Sequence, residues 1–392
     1  MPVDLRPNID QVPFMAQAQR IAEASDWGDD GFEEAFTRFA LSLNSEAELA
    51  PEGLKRIRSH VMKTLVARLR LIDDRKKYPA IEHEAIERPI IVTGQARSGT
   101  SYLNALLACD PRNLAPLHWQ VWMPSPPPGL ADVDHAPQIA AAERCIEQEG
   151  WQDPDVRRTH DYTATNASED TFIQEMSFRG VTLPFFLNVP SFGRWLETAD
   201  RAPAYRIQRK VMQAIQFGQK RSQWVVKGPP HLGMLDYLFG EFPDACVVVN
   251  HRDPVKAFAS SKSMLMAHRA QFGNPPPELP REMALAMLHG TAGMLRKMIE
   301  RRKNPAAERH FTDISYKDLE RNPLDQVAKI YQKFDIEFTQ EACDAMKAHI
   351  AGNRKGQHGQ HLYDIREMGL TIEEVREMFR FYTDHFGIEL EC

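Results

Sequence analysis

A short run of residues around position 94 constrains the fold of this chain more than any other feature. It begins with RPIIVTG, a brief apolar segment typical of a buried β-strand, and continues into GQARSGTS, a turn with two glycines. A helical segment, SYLNALLACD, follows directly. Strand, glycine turn and helix in immediate succession predict a phosphate-binding loop, in which backbone N–H groups and the start of the helix face an anion.

The turn departs from the phosphate loop of nucleotide hydrolases, GxxxxGK[ST], at one position. Gly94 and Gly99 have the required spacing and Ser101 supplies the final hydroxyl, but Thr100 stands where lysine is needed, and Arg97 lies inside the loop instead. The sequence also offers no apolar strand that ends in an acidic residue to hold Mg²⁺. These departures disfavour ATP hydrolysis and favour a phosphosulfate, whose transferring group carries less charge and needs no metal.

The remaining strand and helix signals predict an α/β fold with a parallel sheet. Further apolar strands are expected at 224–226, 245–249 and 310–315, with a helix carrying Leu232, Leu235, Leu238 and Phe242 between the first two. Helices are expected at about 281–302, 323–335, 339–351 and 371–386.

The N-terminal part of the chain reads as helical. Leu54, Ile57, Val61, Leu65 and Leu69 recur at helical spacing, which predicts a helical region over residues 1–86 that packs as a cap on an α/β domain of residues 87–392 with helical insertions. Within that domain, residues 118–137 are rich in proline and are expected to form a loop. Its Trp119, Trp122 and Met123 are candidates for lining an acceptor pocket.

A second anion site is suggested by HRDPVKAFASSKSM, which follows the strand at 245–249. Arg252 at the strand's end and Ser260 two helical turns later can hold a phosphate by charge-assisted hydrogen bonds. The same turn also has a purely structural interpretation, with Asp253 capping the helix and Pro254 at its first position. A third cationic segment, with Arg354, Lys355 and Gly356, is either a solvated loop or part of the same site.

The string RPIIVTGQARSGTSYLNALLACDP resembles the 5′-phosphosulfate loop of sulfotransferases that use 3′-phosphoadenosine 5′-phosphosulfate (PAPS), in particular the bacterial branch related to the carbohydrate sulfotransferases. The resemblance extends over about residues 88–386 and includes YKDLERNP at 316–323. It implies a P-loop NTPase-like fold, contacts from residues 97–101 to the 5′-phosphosulfate, and a 3′-phosphate held by Arg252 with Ser260 and covered by the segment at 354–356.

Sulfuryl transfer also needs a base for the acceptor and cations for the leaving oxygen. Arg97 and Lys227, the latter at the end of a predicted strand, are candidates for the second role. His231 is the first candidate for the base, because a histidine titrates near neutrality. His118 is a rival, since related enzymes use a glutamate shortly after the loop helix, and Glu169 or Asp170 is a third option.

The composition of the chain limits the kinds of partner that it can have. A net charge of −6 gives no field for nucleic acid, and no segment reads as a signal peptide or as an integral membrane helix. Five scattered cysteines indicate neither a zinc site nor a disulfide framework, which favours the cytoplasm. The sequence therefore predicts a metal-free sulfotransferase that acts on a small-molecule, lipid or carbohydrate acceptor and releases adenosine 3′,5′-bisphosphate (PAP). A nucleotide kinase or hydrolase, and a catalytically silent PAPS- or PAP-binding protein, are the alternatives; a homodimer is left open.

Overall fold

The computed structural model describes residues 9–28, 30–160, 162–221, 223–273, 279–352 and 364–391. The chain forms two compact units. The helical unit comprises residues 1–86, 116–222 and 265–275, and the sheet unit comprises residues 87–115, 223–264 and 276–392. One boundary coincides with the predicted end of the N-terminal helical region at residue 86. The division of the chain into domains at that point stays a prediction.

The sheet unit is built on five parallel strands. They are β1 Ile90–Gly94, β2 Asn113–Leu114, β3 Gln223–Lys227, β4 Cys246–His251 and β5 Phe311–Ser315. Their order across the sheet is β2-β3-β1-β4-β5, so β1 lies at the centre. The α/β fold with a parallel sheet flanked by helices, predicted from the sequence, is confirmed.

Helices account for most of the rest of the described chain. In chain order they are α1 Gln11–Ala22, α2 Phe32–Glu46, α3 Pro51–Lys77, α4 Thr100–Ala108, α5 His118–Trp122, α6 Ala136–Gln148, α7 Pro154–Arg157, α8 Thr171–Gln174, α9 Thr182–Phe186, α10 Pro190–Thr198, α11 Ala202–Gln216, α12 Leu235–Glu241, α13 Pro254–Arg269, α14 Arg281–Arg302, α15 Pro305–Glu308, α16 Tyr316–Arg321, α17 Pro323–Lys333, α18 Gln340–Gly352 and α19 Ile372–Phe386. Short 3₁₀ turns occur at Pro79–His83, Glu175–Ser177, Pro229–Gly233 and Ile365–Met368. Within the described ranges, no helix is both long and apolar enough to cross a bilayer.

Alternation along the strands builds the core of the sheet unit. Ile90 and Val92 of β1, two residues apart, point to the same face of the sheet, where Val248 of β4 and Ile314 of β5 join them. Leucines of α4 and the apolar faces of α17 and α18 cover that face. Because both faces of a parallel sheet are covered, its strands are apolar along most of their length. This is why the longer strands could be predicted from the sequence.

The structure differs from the sequence-based picture at two places. The sequence predicts a loop throughout residues 118–137, but α5 occupies His118–Trp122. This short helix is stabilised by the side chain of Gln120, whose Oε1 accepts from the backbone N–H of Leu117 at 3.0 Å. Strand β2, at the edge of the sheet, was not predicted, because its two residues are too short to show a pattern.

A buried charged cluster joins α3 to later segments of the helical unit. His60 lies between two carboxylates, with Nδ1 2.9 Å from Glu149 Oε2 and Nε2 2.8 Å from Glu175 Oε2. Lys63 donates to both oxygens of Glu149 at 2.8 and 2.9 Å, and the indole of Trp151 donates to Oε2 at 3.1 Å. Two cations thus balance two carboxylates, which is what burial of charge requires.

The cluster predicts that stability of the helical unit falls as the pH rises from about 6.5 through 9. Burial alone would lower the pKa of His60, but Glu175 and Glu149 raise it from 6.5 to about 9. A histidine with a raised pKa stabilises the folded state fully below its unfolded pKa, and the contribution, here up to about 3 kcal/mol, is lost above the folded pKa. The measurement is the thermal unfolding midpoint, followed by tryptophan fluorescence, against pH.

The control is His60→Gln, which keeps hydrogen-bonding groups but does not titrate in this range. Its unfolding midpoint is expected to be lower than that of the wild type at pH 6.5 and to vary less between pH 6.5 and 9. A wild-type profile as flat as that of the variant would contradict the assignment.

Candidate functional site

The end of β1 lies very close to the neighbouring strand. Gly94, the last residue of β1, pairs with Asn250 of β4, and a Cβ atom at position 94 would lie 2.4 Å from the carbonyl oxygen of Asn250. The φ of Gly94 is 146°, a conformation that residues with side chains rarely adopt. Only glycine fits here, and the chain therefore leaves the sheet directly beside the end of β4.

Hydrogen bonds within the turn hold its shape. The backbone N–H and the hydroxyl of Ser98 both donate to the carbonyl of Gln95, at 3.2 and 2.6 Å, and Asn250 Nδ2 donates to the carbonyl of Ser98 at 3.3 Å. Arg97 has a φ of 68°, in the left-handed region that is uncommon for a residue with a side chain. The hydroxyl of Ser98 is thus engaged inside the turn, so its predicted contact to a phosphosulfate stays a prediction.

The turn leads into α4, whose first residues face a buried lysine. The opening N–H groups of an α-helix have no acceptor within the helix, so Gly99, Thr100 and Ser101 bring backbone donors to its positive end. Lys227, the last residue of β3, donates from Nζ to the hydroxyl of Ser101 at 3.0 Å, although only 1% of Lys227 is exposed. A cation is therefore held at the start of this helix.

Arg252 follows β4 directly, and its guanidinium contacts the loop. Nη1 donates to the carbonyl of Arg97 at 2.8 Å, and the guanidinium carbon lies 4.0 Å above the ring centre of Tyr316. Nε and Nη2 donate to the two oxygens of Glu391 at 2.8 and 3.1 Å. Burial would lower the pKa of Arg252, but the hydrogen bonds to Glu391 raise it, so the group stays charged.

Ser260 on α13 contacts the same loop through the side chain of Arg97. Its hydroxyl accepts from Arg97 Nε at 3.1 Å. At the start of the helix, Asp253 Oδ1 accepts from the backbone N–H of Val255 at 2.9 Å, as the structural interpretation of this turn requires. The two interpretations are compatible, because Asp253 caps the helix while Arg252 and Ser260 both contact Arg97.

A chain of hydrogen bonds beside Arg252 was not predicted from the sequence. His251, the last residue of β4, has Nε2 2.7 Å from Asp313 Oδ1 and Nδ1 2.8 Å from the hydroxyl of Tyr382. Arg302 donates to both oxygens of Asp313, each at 2.7 Å. These hydrogen bonds join α14, β5, β4 and α19. The bonded partners are separated by 11 positions at the least and 131 at the most, so no local sequence pattern could reveal them.

The charges fix the direction of these hydrogen bonds. Although burial would raise it, the pKa of Asp313 is held below its ordinary range by its two partners, and burial lowers the pKa of His251. A neutral His251 that donates from Nε2 must accept at Nδ1, so the Tyr382 hydroxyl donates. Burial raises the pKa of Tyr382, while the side chain of Gln95 and the backbone N–H of Arg252 lower it. The phenol therefore lies beside both the turn that follows β1 and the turn that follows β4.

The candidates for the general base lie in different parts of the chain. His231, in the 3₁₀ turn after Lys227, is buried in the sheet unit, and its backbone N–H donates to the carbonyl of Gly228 at 3.2 Å. His118, the first residue of α5, is buried in the helical unit, where Nδ1 lies 2.9 Å from the carbonyl of Thr163.

The remaining predicted residues are placed as follows. Asp170 is buried in the helical unit and accepts from Gln208 Nε2 at 2.8 Å, while Glu169 precedes it along the chain. Arg354, Lys355 and Gly356 lie outside the described residues. The sheet unit thus brings together Gly94, Arg97–Ser101, Lys227, Arg252 and Ser260.

Comparison with known proteins identifies a family. A family model described as "Sulfotransferase family" matches residues 89–340. Two curated relatives, from Mycobacterium bovis and Mycobacterium tuberculosis, are each named omega-hydroxy-beta-dihydromenaquinone-9 sulfotransferase Stf3. Each is 24% identical over 314 residues, which cover 77% of this chain and 75% of the relative.

Solved structures give a corresponding result. The sulfotransferase STF9 from Mycobacterium avium superposes with a TM-score of 0.86 at 27% identity and covers 98% of both chains. The sulfotransferase STF1 from Mycobacterium tuberculosis H37Rv superposes with a TM-score of 0.81 at 28% identity, over 95% of this chain and 99% of that one.

The chain of hydrogen bonds beside Arg252 predicts that Tyr382→Phe is destabilising although it preserves the ring. Removal of the hydroxyl leaves a buried acceptor, His251 Nδ1, without its donor, which costs about 1–3 kcal/mol. The half-buried Tyr237 on α12 provides the control, because Tyr237→Phe is expected to change stability by less than about 0.5 kcal/mol. Urea denaturation measures both; equal effects of the two substitutions would contradict the prediction.

Proposed function

The chain belongs to the sulfotransferase family, and we propose that it transfers a sulfuryl group from PAPS to a hydroxyl or amine of a small-molecule, lipid or carbohydrate acceptor, with PAP as the second product. In this proposal the loop at 94–101 holds the 5′-phosphosulfate and Arg252 with Ser260 holds the 3′-phosphate. PAPS is a substrate here, and no metal is required.

One observation carries the proposal: the guanidinium of Arg252 contacts the phosphate-type loop. Arg252 Nη1 donates to the carbonyl of Arg97, and Arg97 Nε donates to the hydroxyl of Ser260. Arg252 and Ser260 are therefore both joined by hydrogen bonds to Arg97, one to its backbone and one to its side chain, in the turn that follows β1. This arrangement supports a ligand with two anionic groups at the two ends of one nucleoside, which PAPS has and ADP lacks.

In this reaction the protein mainly supplies positive charge near the leaving oxygen and positions the two substrates. The acceptor oxygen or nitrogen bonds to sulfur as the bond from sulfur to the bridging phosphate oxygen breaks, and negative charge develops on that oxygen. Lys227 at the start of α4 and Arg97 in the loop are proposed to stabilise this charge. Lys227 suits the role because its ammonium is already directed at Ser101, so little reorganisation precedes the reaction.

The proton of the acceptor must pass to a base. His231 remains our first proposal, because it follows Lys227 by four residues in the same unit. His118, Glu169 and Asp170 remain alternatives. All three belong to the helical unit, whereas Lys227 belongs to the sheet unit. The contact of Lys227 with Ser101 therefore gives no support to any of the three.

We propose that the acceptor has an apolar body. The helical unit has a groove of about 440 Å³ between α3, α5 and α6, lined by Met62, Val66, Trp122, Met123 and Ala141 among others. Lys63 lies 4.1 Å from the ring centre of Trp122 at this groove. Apolar walls with a few polar groups are typical of pockets for small molecules, and two curated relatives are named for a lipid acceptor, a menaquinone derivative.

The 3′-phosphate assignment predicts that the wild type binds PAP more tightly than ADP and that Arg252→Ala abolishes this preference. A charge-assisted hydrogen bond contributes about 1.5–3 kcal/mol, so the affinity for PAP should fall about 10- to 100-fold while that for ADP changes little. Calorimetric titration of the two ligands measures this.

The matched control is Arg376→Ala, which removes an exposed arginine of the same unit, on α19. It is expected to leave both affinities within about twofold of the wild type. Equal affinity of the wild type for the two ligands, or a preference retained in Arg252→Ala, would overturn the assignment.

The role of Lys227 predicts that Lys227→Met lowers turnover without a matching loss of donor binding. Removal of one group that stabilises transition-state charge lowers the rate about 10²- to 10³-fold, whereas the affinity for PAP should change less than about threefold. The assay follows transfer of radiolabelled sulfate from PAPS to a panel of primary alcohols, phenols and amines. An affinity loss as large as the rate loss would assign Lys227 to binding instead.

A further inference from the structure

The second anion site already contains a carboxylate. Glu391 follows the end of α19 by five residues and forms a bidentate ion pair with Arg252. We propose that Glu391 is a built-in competitor for the 3′-phosphate: it weakens the binding of 3′-phosphorylated nucleotides at Arg252 and so promotes release of the PAP product. This inference rests on the proposed function, because it needs a phosphate at Arg252.

The geometry of the guanidinium gives the competition its physical basis. An arginine has five N–H donors, and the edge formed by Nε and one Nη matches a carboxylate or a phosphate bidentately. In Arg252 that edge is taken by Glu391, and Nη1 donates to the carbonyl of Arg97. Among contacts with described residues, this leaves one N–H on each Nη. A phosphate must therefore either displace Glu391 or bind beside it.

Hydrogen bonds to the neighbouring backbone and side chains hold the segment that carries the Glu391 carboxylate. The backbone N–H of Glu391 donates to Asp253 Oδ2 at 2.8 Å, next to the helix cap. Two residues earlier, Glu389 accepts from Lys317 Nζ at 2.6 Å. The segment from 389 to 391 is thus fastened on both sides of Leu390. A phosphate that takes the bidentate edge would leave the Glu391 carboxylate nearby.

Partial burial makes the repulsion effective. The side chains of Arg252 and Glu391 are only 17% and 18% exposed, so salt screens the local charges incompletely. A carboxylate close to a phosphate disfavours binding of that phosphate. The donor and the product both carry the 3′-phosphate, so a residue that weakens this contact limits how long the product remains bound.

The test is Glu391→Gln, which removes the charge and keeps the size and a hydrogen-bond acceptor. We expect the Kd for PAP to fall about tenfold at low ionic strength, with a smaller gain in 0.5 M NaCl, because a like charge has been removed from the site. The Kd for adenosine 5′-phosphate, which lacks the 3′-phosphate, should stay within twofold of the wild type. Calorimetry gives both values.

Glu389→Gln is the matched control, since it removes the same charge from the same segment but leaves the pair of Glu391 and Arg252 intact. It should change the Kd for PAP less than twofold. The inference is overturned if Glu391→Gln leaves the PAP affinity unchanged or weakens it, if adenosine 5′-phosphate gains equally, or if Glu389→Gln gives the same gain.

Two further variants keep the result interpretable. Glu391→Ala should also tighten PAP binding, and thermal unfolding midpoints verify that each variant is folded. If Arg252→Ala keeps wild-type affinity for PAP, the 3′-phosphate assignment itself is wrong and this inference falls with it. If Arg252→Ala loses affinity but neither Glu391 variant gains it, only the competition is wrong and the proposed function stands.

Discussion

The parallel pairing of β1 with β4 is the constraint on which the proposed site depends. Both strands end at the same edge of the sheet, and Gly94 allows their backbones to approach so closely that a single added carbon would overlap Asn250. The turn after β1 and the arginine after β4 therefore emerge side by side. A residue with a side chain at 94 would push the strands apart and separate the two cationic groups.

Among the described residues of the proposed site, Arg97, Lys227 and Arg252 each have a partner within the protein. Arg97 contacts Ser260, Lys227 contacts Ser101, and Arg252 contacts both Glu391 and the loop backbone. Such contacts keep buried charges from being stranded and hold the side chains near the positions that a ligand would need, which lowers the entropy lost on binding. Because these cations already have partners, an anion that binds to them would replace some contacts within the protein with contacts to itself.

The sequence was sufficient for features that depend on local chemistry. Four of the strands, the glycine turn, and the spacing between Arg252 and Ser260 could be predicted, because apolar runs, paired glycines and helical spacing are visible within a short stretch of sequence. Features that depend on distant contacts could not. Glu391 reaches Arg252 from 139 positions away, and the His251–Tyr382 hydrogen bond spans 131 positions. The side chain of Gln120 stabilises a short helix where the sequence predicts a loop.

The short strand β2 has a consequence for self-association. A sheet edge offers unpaired N–H and C=O groups to another chain in proportion to its length, and this sheet ends at β2 with just two residues. At the opposite edge, Lys329 on α17 donates to the backbone carbonyl of Asp313 and so occupies one of the outward groups of β5. Among the described residues, one edge of the sheet is therefore only two residues long and the other has an outward carbonyl already bonded, so both edges are poorer templates than a long, fully open strand for continuation of the sheet by a second copy.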